Sequence, residues 1–235
     1  MKEHIVSYAV KNDCYKAAQR LVPVGIVVHS TGANNPYLRR YVDSPAELGE
    51  NIYNNHWNNP SPGGRKVCVH AFIGYDAGQN IRVAQILPYN MACWGCGQGG
   101  KGSYNSSHIQ FEICEDNLNN RSYFEKVFSE AIEYCAYLCY IFRIDISDIV
   151  SHAEAYKKGY ASNHGDCDHW LKRYGWTMDT FRKKVSEVYR KNYEEKTDYA
   201  SLVCEKCGFT SQTREYLDRY TYSEDLWRKL WLAMG

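Results

Sequence analysis

The chain has 235 residues, enough for one large domain or one domain with a small appendage, and enough to bury a sizeable core. Its 28 basic and 27 acidic residues leave a formal net charge of +1, which excludes a strong field for nucleic acid or an anionic membrane. No apolar stretch approaches the length of a membrane span, and the apolar run after Met1-Lys2-Glu3-His4 is too short for a secretory leader. The chain therefore reads as made in a cytoplasm, with its 10 cysteines as reduced thiols.

The first element is a strand from Val24 to His29, a valine-rich run fit for burial. Ser44-Pro45-Ala46-Glu47 reads as a helix start, with Ser44 as cap and Glu47 completing a capping box. Val67 to Ile73 and Ile81 to Leu87 read as strands around a turn at Asp76-Ala77-Gly78. Residues 92–106 are dense in glycine and lack periodicity, which predicts a long functional loop. Ser107 to Cys114 is a further strand, with Ile109, Phe111 and Ile113 on one face and His108, Gln110, Glu112 and Cys114 on the other. That polar face predicts a cleft border.

A strong helix follows from about Ser122, with Phe124, Val127, Phe128, Ala131, Ile132, Cys135, Leu138, Cys139 and Phe142 as a core stripe. Here cysteine acts as a small hydrophobe. Thr177 caps another helix carrying Phe181, Val185 and Val188. Strands alternating with helices predict an α/β domain with a mixed central sheet flanked by helices. Charged residues 190–198 read as a linker. Beyond them a small helical hairpin is expected, its first helix capped by Thr210 or Ser211 and its second by Ser223. Leu226, Trp227, Leu230, Trp231 and Met234 give the second helix an apolar side that needs cover.

Chemistry concentrates at His29, at the end of its strand, and in the stretch from His152, read as the start of a loop, through His164, Asp166, Asp168 and His169. A histidine ending an apolar strand is ordinarily a satisfied core residue. Two histidines and a carboxylate from distant segments are instead what a hydrolytic zinc needs, with its fourth position left for water. Spacing alone leaves the choice of ligands open. Glu112, inward on its strand, must be paired in a structural ion pair or serve as general base or acid. Cys93-x-x-Cys96 and Cys204-x-x-Cys207 are each half of a zinc-ribbon signature. No cysteine stands at a helix start beside a recognisable base, which argues against a thiol hydrolase.

Four motifs in order carry a resemblance. They are Asn12-Asp13-Cys14-Tyr15-Lys16, Gly25-Ile26-Val27-Val28-His29-Ser30-Thr31-Gly32, Phe111-Glu112-Ile113-Cys114-Glu115-Asp116 and Ala161-Ser162-Asn163-His164-Gly165-Asp166. Over about residues 12–190 the chain resembles the zinc-dependent N-acetylmuramoyl-L-alanine amidases of the second type, in their clostridial or clostridial-phage branch. That family shares its fold with phage lysozyme-amidases and peptidoglycan recognition proteins.

The resemblance implies His29, His152 and Asp166 as zinc ligands, with Cys167 as a rival for the third position. It implies Glu112 as the catalytic glutamate and His164 as the group beside the oxyanion. His70 and Trp94 match positions beside the substrate. Val69 stands where some relatives carry a catalytic tyrosine, which shifts that role to Glu112, and Gly95 replaces a histidine often seen after the tryptophan. The implied substrate is bacterial peptidoglycan, with no nucleic acid or membrane partner. The implied setting is a phage endolysin made in the host cytoplasm without a signal peptide and acting on the wall after release. Residues 1–190 would be the catalytic domain. Residues 197–235 would be a tail for dimerisation or wall targeting, a homodimer being favoured. A non-catalytic peptidoglycan-binding module of the same fold is the alternative; such modules typically lack a zinc ligand, and all three positions are present here.

Overall fold

The computed structural model describes residues 4–43, 46–194 and 198–234. The chain divides into two compact units, Met1–Tyr189 and Arg190–Gly235. The first is built on one six-stranded sheet: β1 (Ile5–Val6), β2 (Gly25–Ser30), β3 (Ala71–Tyr75), β4 (Ile81–Gln85), β5 (His108–Ile113) and β6 (Ile149–Ser151). The spatial order is β1-β4-β3-β5-β2-β6, and every neighbouring pair is parallel except the antiparallel β3–β4. The sheet is mixed, as expected. All six residues of β2 are buried between β5 and β6, which explains an apolar run without alternation.

The first unit carries helices α1 (Asp13–Ala17), α2 (Arg121–Phe142), α3 (His152–Lys158), α4 (Asp168–Arg173) and α5 (Met178–Tyr189). Helix α2 begins at Arg121 because the Asn120 side chain accepts a hydrogen bond from the Tyr123 N–H at 3.1 Å. Its buried stripe lies over the Phe111 face of the sheet, where the Phe111 and Tyr134 rings meet edge to face at 5.2 Å. Helix α5 packs against α2 through Phe181 and Phe128. Thr177 caps α5 as expected, accepting from the Thr180 N–H at 3.2 Å. On the opposite face Phe72 stacks on Tyr41, and Val69, Cys114, Leu38, Leu48 and Cys14 complete a second apolar layer.

Several expectations are corrected. The strand expected over Val67 to Ile73 runs over Ala71–Tyr75, because its ladder with β4 extends to the pair Tyr75 and Ile81. Ser44 and Pro45 lie outside the described residues, and Ala46–Leu48 is a single 3-10 turn. His152 opens a helix, not a loop: Ser151 caps α3, and Glu154 closes a capping box. All ten cysteines are free thiols, eight of them buried.

Among the described residues the second unit opens on a π-helical turn (Arg190–Glu194) and holds three α-helices where two were expected: α6 (Tyr199–Cys207), α7 (Ser211–Asp218) and α8 (Ser223–Ala233). Asp198 caps α6 and Thr210 caps α7, whereas Ser223 is the first residue of α8 and not its cap. Trp227 of α8 is buried with Ala200 and Val203 of α6, and Leu230, Trp231 and Met234 pack around them. Part of the cover sought from a second copy is therefore supplied within the unit. No helix among the described residues is long and apolar enough to cross a membrane.

Candidate metal centre

Register places the chemistry. His29 of β2 pairs with Glu112 of β5, and Glu112 pairs in turn with Phe72 of β3. Residues paired across neighbouring strands share a face, so His29 and Glu112 stand side by side away from α2. Both are the fifth of six residues in their strands, near the carboxyl ends where parallel sheets open a crevice. His152 arrives as the first residue of α3, held there by the capping box. Asp166 comes from the turn before α4.

The three converge. His29 Nδ1 lies 3.0 Å from His152 Nδ1 and 3.2 Å from Asp166 Oδ2, and His152 Nδ1 lies 3.5 Å from Asp166 Oδ1. Both rings are buried, while Asp166 keeps some exposure. Burial pushes the Asp166 carboxyl up, but hydrogen bonds and charge from His152 and His29 outweigh it and hold the group well below the carboxylate range. Two imidazole nitrogens and a carboxylate thus share one small volume, and a cation satisfies all three at once. Their donor types, N, N and O, suit zinc with a position left open. Among the described residues this is the only group of three or more metal-ligand side chains.

Glu112 lies beside this cluster with Oε2 buried and without a hydrogen-bond partner. Burial, then the charges of Asp166 and Glu115, push its carboxyl well above the usual range, against the opposing charge of Arg65. An ion pair does not account for it, because no cation bonds that oxygen. Glu115 is the second carboxylate here, accepting from Ser30 Oγ at 2.5 Å and facing His169 Nε2 at 3.0 Å. The ring of exposed His164 stacks on His152 with centroids 4.8 Å apart, so it borders the cluster.

Comparison with known proteins identifies the family. Residues 19–170 match the sequence profile of the N-acetylmuramoyl-L-alanine amidase family. The chain belongs to that family. It is a peptidoglycan amidase, a hydrolase. It is 27% identical over 194 residues to the N-acetylmuramoyl-L-alanine amidase CwlA of Bacillus sp., a match covering 80% of this amidase and 70% of CwlA. Among solved structures, the catalytic domain of XlyA superposes with a TM-score of 0.55 at 21% identity, covering 78% of this chain and 99% of that one. Staphylococcus aureus hydrolase AmiA, solved in complex with its ligand, gives 0.52 at 19% identity, covering 89% and 87%. At these identities the structural likeness is one of fold.

The amidase treats the other expected site residues differently. His70 is fully buried, its Nδ1 accepting from the Gln110 N–H at 3.0 Å and its Nε2 facing the Met91 carbonyl at 2.9 Å. Burial pushes its pKa down to about 4. With both nitrogens engaged by main chain, His70 anchors β5 and has no free atom for substrate. Trp94 is half-buried against the Cys68 layer, its main-chain N–H donating to the Cys68 carbonyl at 3.0 Å, and so fixes the glycine-dense loop. Cys167 is fully buried, with its thiol pushed well up by burial, and stands outside the cluster. Cys93 and Cys96 are buried in the first unit, and in the second Cys204 is half-buried and Cys207 exposed. Two residues that the sequence did not single out face the histidines from behind: Gln110 Oε1 lies 2.9 Å from His29 Nε2, and Ser162 Oγ 3.5 Å from His152 Nε2. Gln110 is legible as a polar residue on an inward strand face, but its partner is not.

Proposed function

We propose that the amidase holds zinc through His29 Nδ1, His152 Nδ1 and Asp166, and cleaves the amide between the lactyl group of N-acetylmuramic acid and L-alanine. The observation that carries this reading is the convergence of those three ligand atoms within 4.8 Å. Zinc, when bound, supplies Lewis acidity to the scissile carbonyl and to the attacking water. Glu112 takes the proton of that water and returns it to the departing amine. Its raised affinity for a proton suits both halves of that task. His164, in its charged form, donates to the oxyanion that develops on the carbonyl. Zinc content measured against chain concentration, before and after a chelator, tests the reading.

His164→Ala should lower kcat by about 10²- to 10³-fold with little change in KM, because its contact strengthens only at the oxyanion. Steady-state kinetics on a muramyl peptide check this. Loss of zinc from the variant would make His164 a ligand and redraw the site.

A phage endolysin of clostridial type, released to act on the wall, is the proposed setting. A binding module without catalysis is disfavoured because all three ligand positions are filled. Residues 1–190 would be the catalytic domain, and the tail a wall-contact or self-association unit. Tyr216, Tyr220, Tyr222 and Leu232 remain more than half exposed there, which leaves apolar surface for either role. A chain ending near Arg190 should keep zinc and activity on small muramyl peptides. If the full chain is a dimer in light scattering, the shortened one should be a monomer. A monomeric full chain removes self-association, and loss of wall binding on truncation then makes the tail a targeting unit.

A further inference from the structure

The glycine-dense loop carries hydrogen bonds that reach both histidines. The N–H groups of Gly95 and Cys96 donate to Asn105 Oδ1 at 3.1 and 3.0 Å. Main-chain N–H only donates, so this end of the Asn105 amide is its oxygen. Gln110 Nε2 donates to the same oxygen at 3.1 Å and to Cys96 Sγ at 3.5 Å. The other end of the Gln110 amide is then its oxygen, and it is this oxygen that faces His29 Nε2 at 2.9 Å. An amide oxygen only accepts, so Nε2 of His29 carries a proton, whatever Nδ1, which faces Asp166 Oδ2 at 3.2 Å, carries without metal.

A second line reaches His152. Ser162 Oγ donates to the Cys96 carbonyl at 3.2 Å, its shorter contact, which leaves a lone pair toward His152 Nε2 at 3.5 Å. A hydroxyl whose proton is given to Cys96 can only accept from Nε2 of His152, which then carries a proton. Both lines start from the Gly95–Gly97 segment, and both need glycine. A Cβ on Gly95 would sit 2.5 Å from Gln110 Oε1, and one on Gly97 would sit 2.7 Å from Ser162 Oγ. Gly97 also has φ +67°, which a side chain would strain.

We infer that Gln110 and Ser162, hung from the Gly95–Gly97 segment, are positioning residues that hold His29 and His152 as Nε2–H tautomers and so present both Nδ1 atoms to the metal. The inference rests on the zinc reading above and adds what sets the orientation of its ligands. Partners of this kind are commonly worth 10- to 100-fold in metal affinity.

The test uses the full chain. Gln110→Met keeps side-chain length and removes the acceptor. Its zinc dissociation constant, from chelator competition, should rise about 10- to 100-fold. Long-range proton–nitrogen spectra should show Nε2–H on both histidines of the parent, with both Nδ1 atoms unprotonated once zinc is loaded. In zinc-free Gln110→Met, His29 should lose Nε2–H while His152 keeps it. Ser162→Ala should do the converse, with a smaller loss of affinity because its contact is longer. Parent-like zinc affinity in Gln110→Met, or an unprotonated Nε2 on either histidine of the parent, overturns the inference. If Gln110→Met does not fold, the parent spectra and Ser162→Ala decide. A parent that binds no zinc sinks the metal reading instead, and its zinc-free spectra still report the tautomers.

Discussion

Replacing Glu112 by Gln should cut turnover by about 10²- to 10⁴-fold while zinc content stays unchanged. The amide keeps the shape of the carboxylate but cannot take a proton from water. The same substitution should have the opposite effect on stability. Burial first, then Asp166 and Glu115, raise the Glu112 carboxyl well above its ordinary range. The folded chain therefore holds this proton more tightly than the unfolded chain does. Stability from the protonated form is full below the ordinary carboxylate range and is lost as pH rises through the raised folded-state value. At neutral pH the zinc-free Gln variant should thus melt higher than the zinc-free parent, and the gap should close on acidification. Near-normal turnover in a zinc-replete variant would remove Glu112 from the base role and reopen the search around Val69.

Asp166→Ala should lose both zinc and activity. The zinc-free chain would hold two buried imidazoles 3.0 Å apart without the carboxylate that offsets their charge when protonated. A catalytic metal lowers the pKa of water from about 15.7 to about 7, so turnover should fall by on the order of 10⁴-fold or more. Added zinc at millimolar concentration should restore little of it. Metal analysis after gel filtration, run beside the activity assay, checks both. Full zinc retention would mean that another side chain supplies the third ligand. Cys167 is a poor replacement, since burial and then the charges of Asp168 and Asp166 push its thiol well up.

The parts of this site that the sequence shows are those with local signals. The alternation from Ile109 to Ile113 puts Glu112 inward, and the valine run ending at His29 marks a buried strand end. The histidine and carboxylate density after His152 marks the second ligand segment. Other parts depend on packing that no local pattern carries. His70 looks like a site residue next to a strand, yet main-chain groups from two other segments take both nitrogens. Gln110 has no ligand chemistry of its own, and its role exists only once the fold brings it to His29, 81 positions away. Ser151 and Glu154 spell a capping box at His152, but the density of ligand-type residues after it reads as loop and masks that helix start. Strands β1 and β6, with 2 and 3 residues, are too short for periodicity to register. Helix α6 hid behind its cysteine spacing, which suggested a metal half-site where a short capped helix stands.

The most direct test of the central claim is a chelator titration of the purified chain on a muramyl peptide, following zinc content and the release of free L-alanine amino termini together. The account predicts zinc equimolar with the chain, parallel loss of metal and of cleavage as chelator is added, and recovery of both when zinc is returned. Cleavage that survives complete removal of metal, or a chain that takes up no zinc on reconstitution, would contradict it.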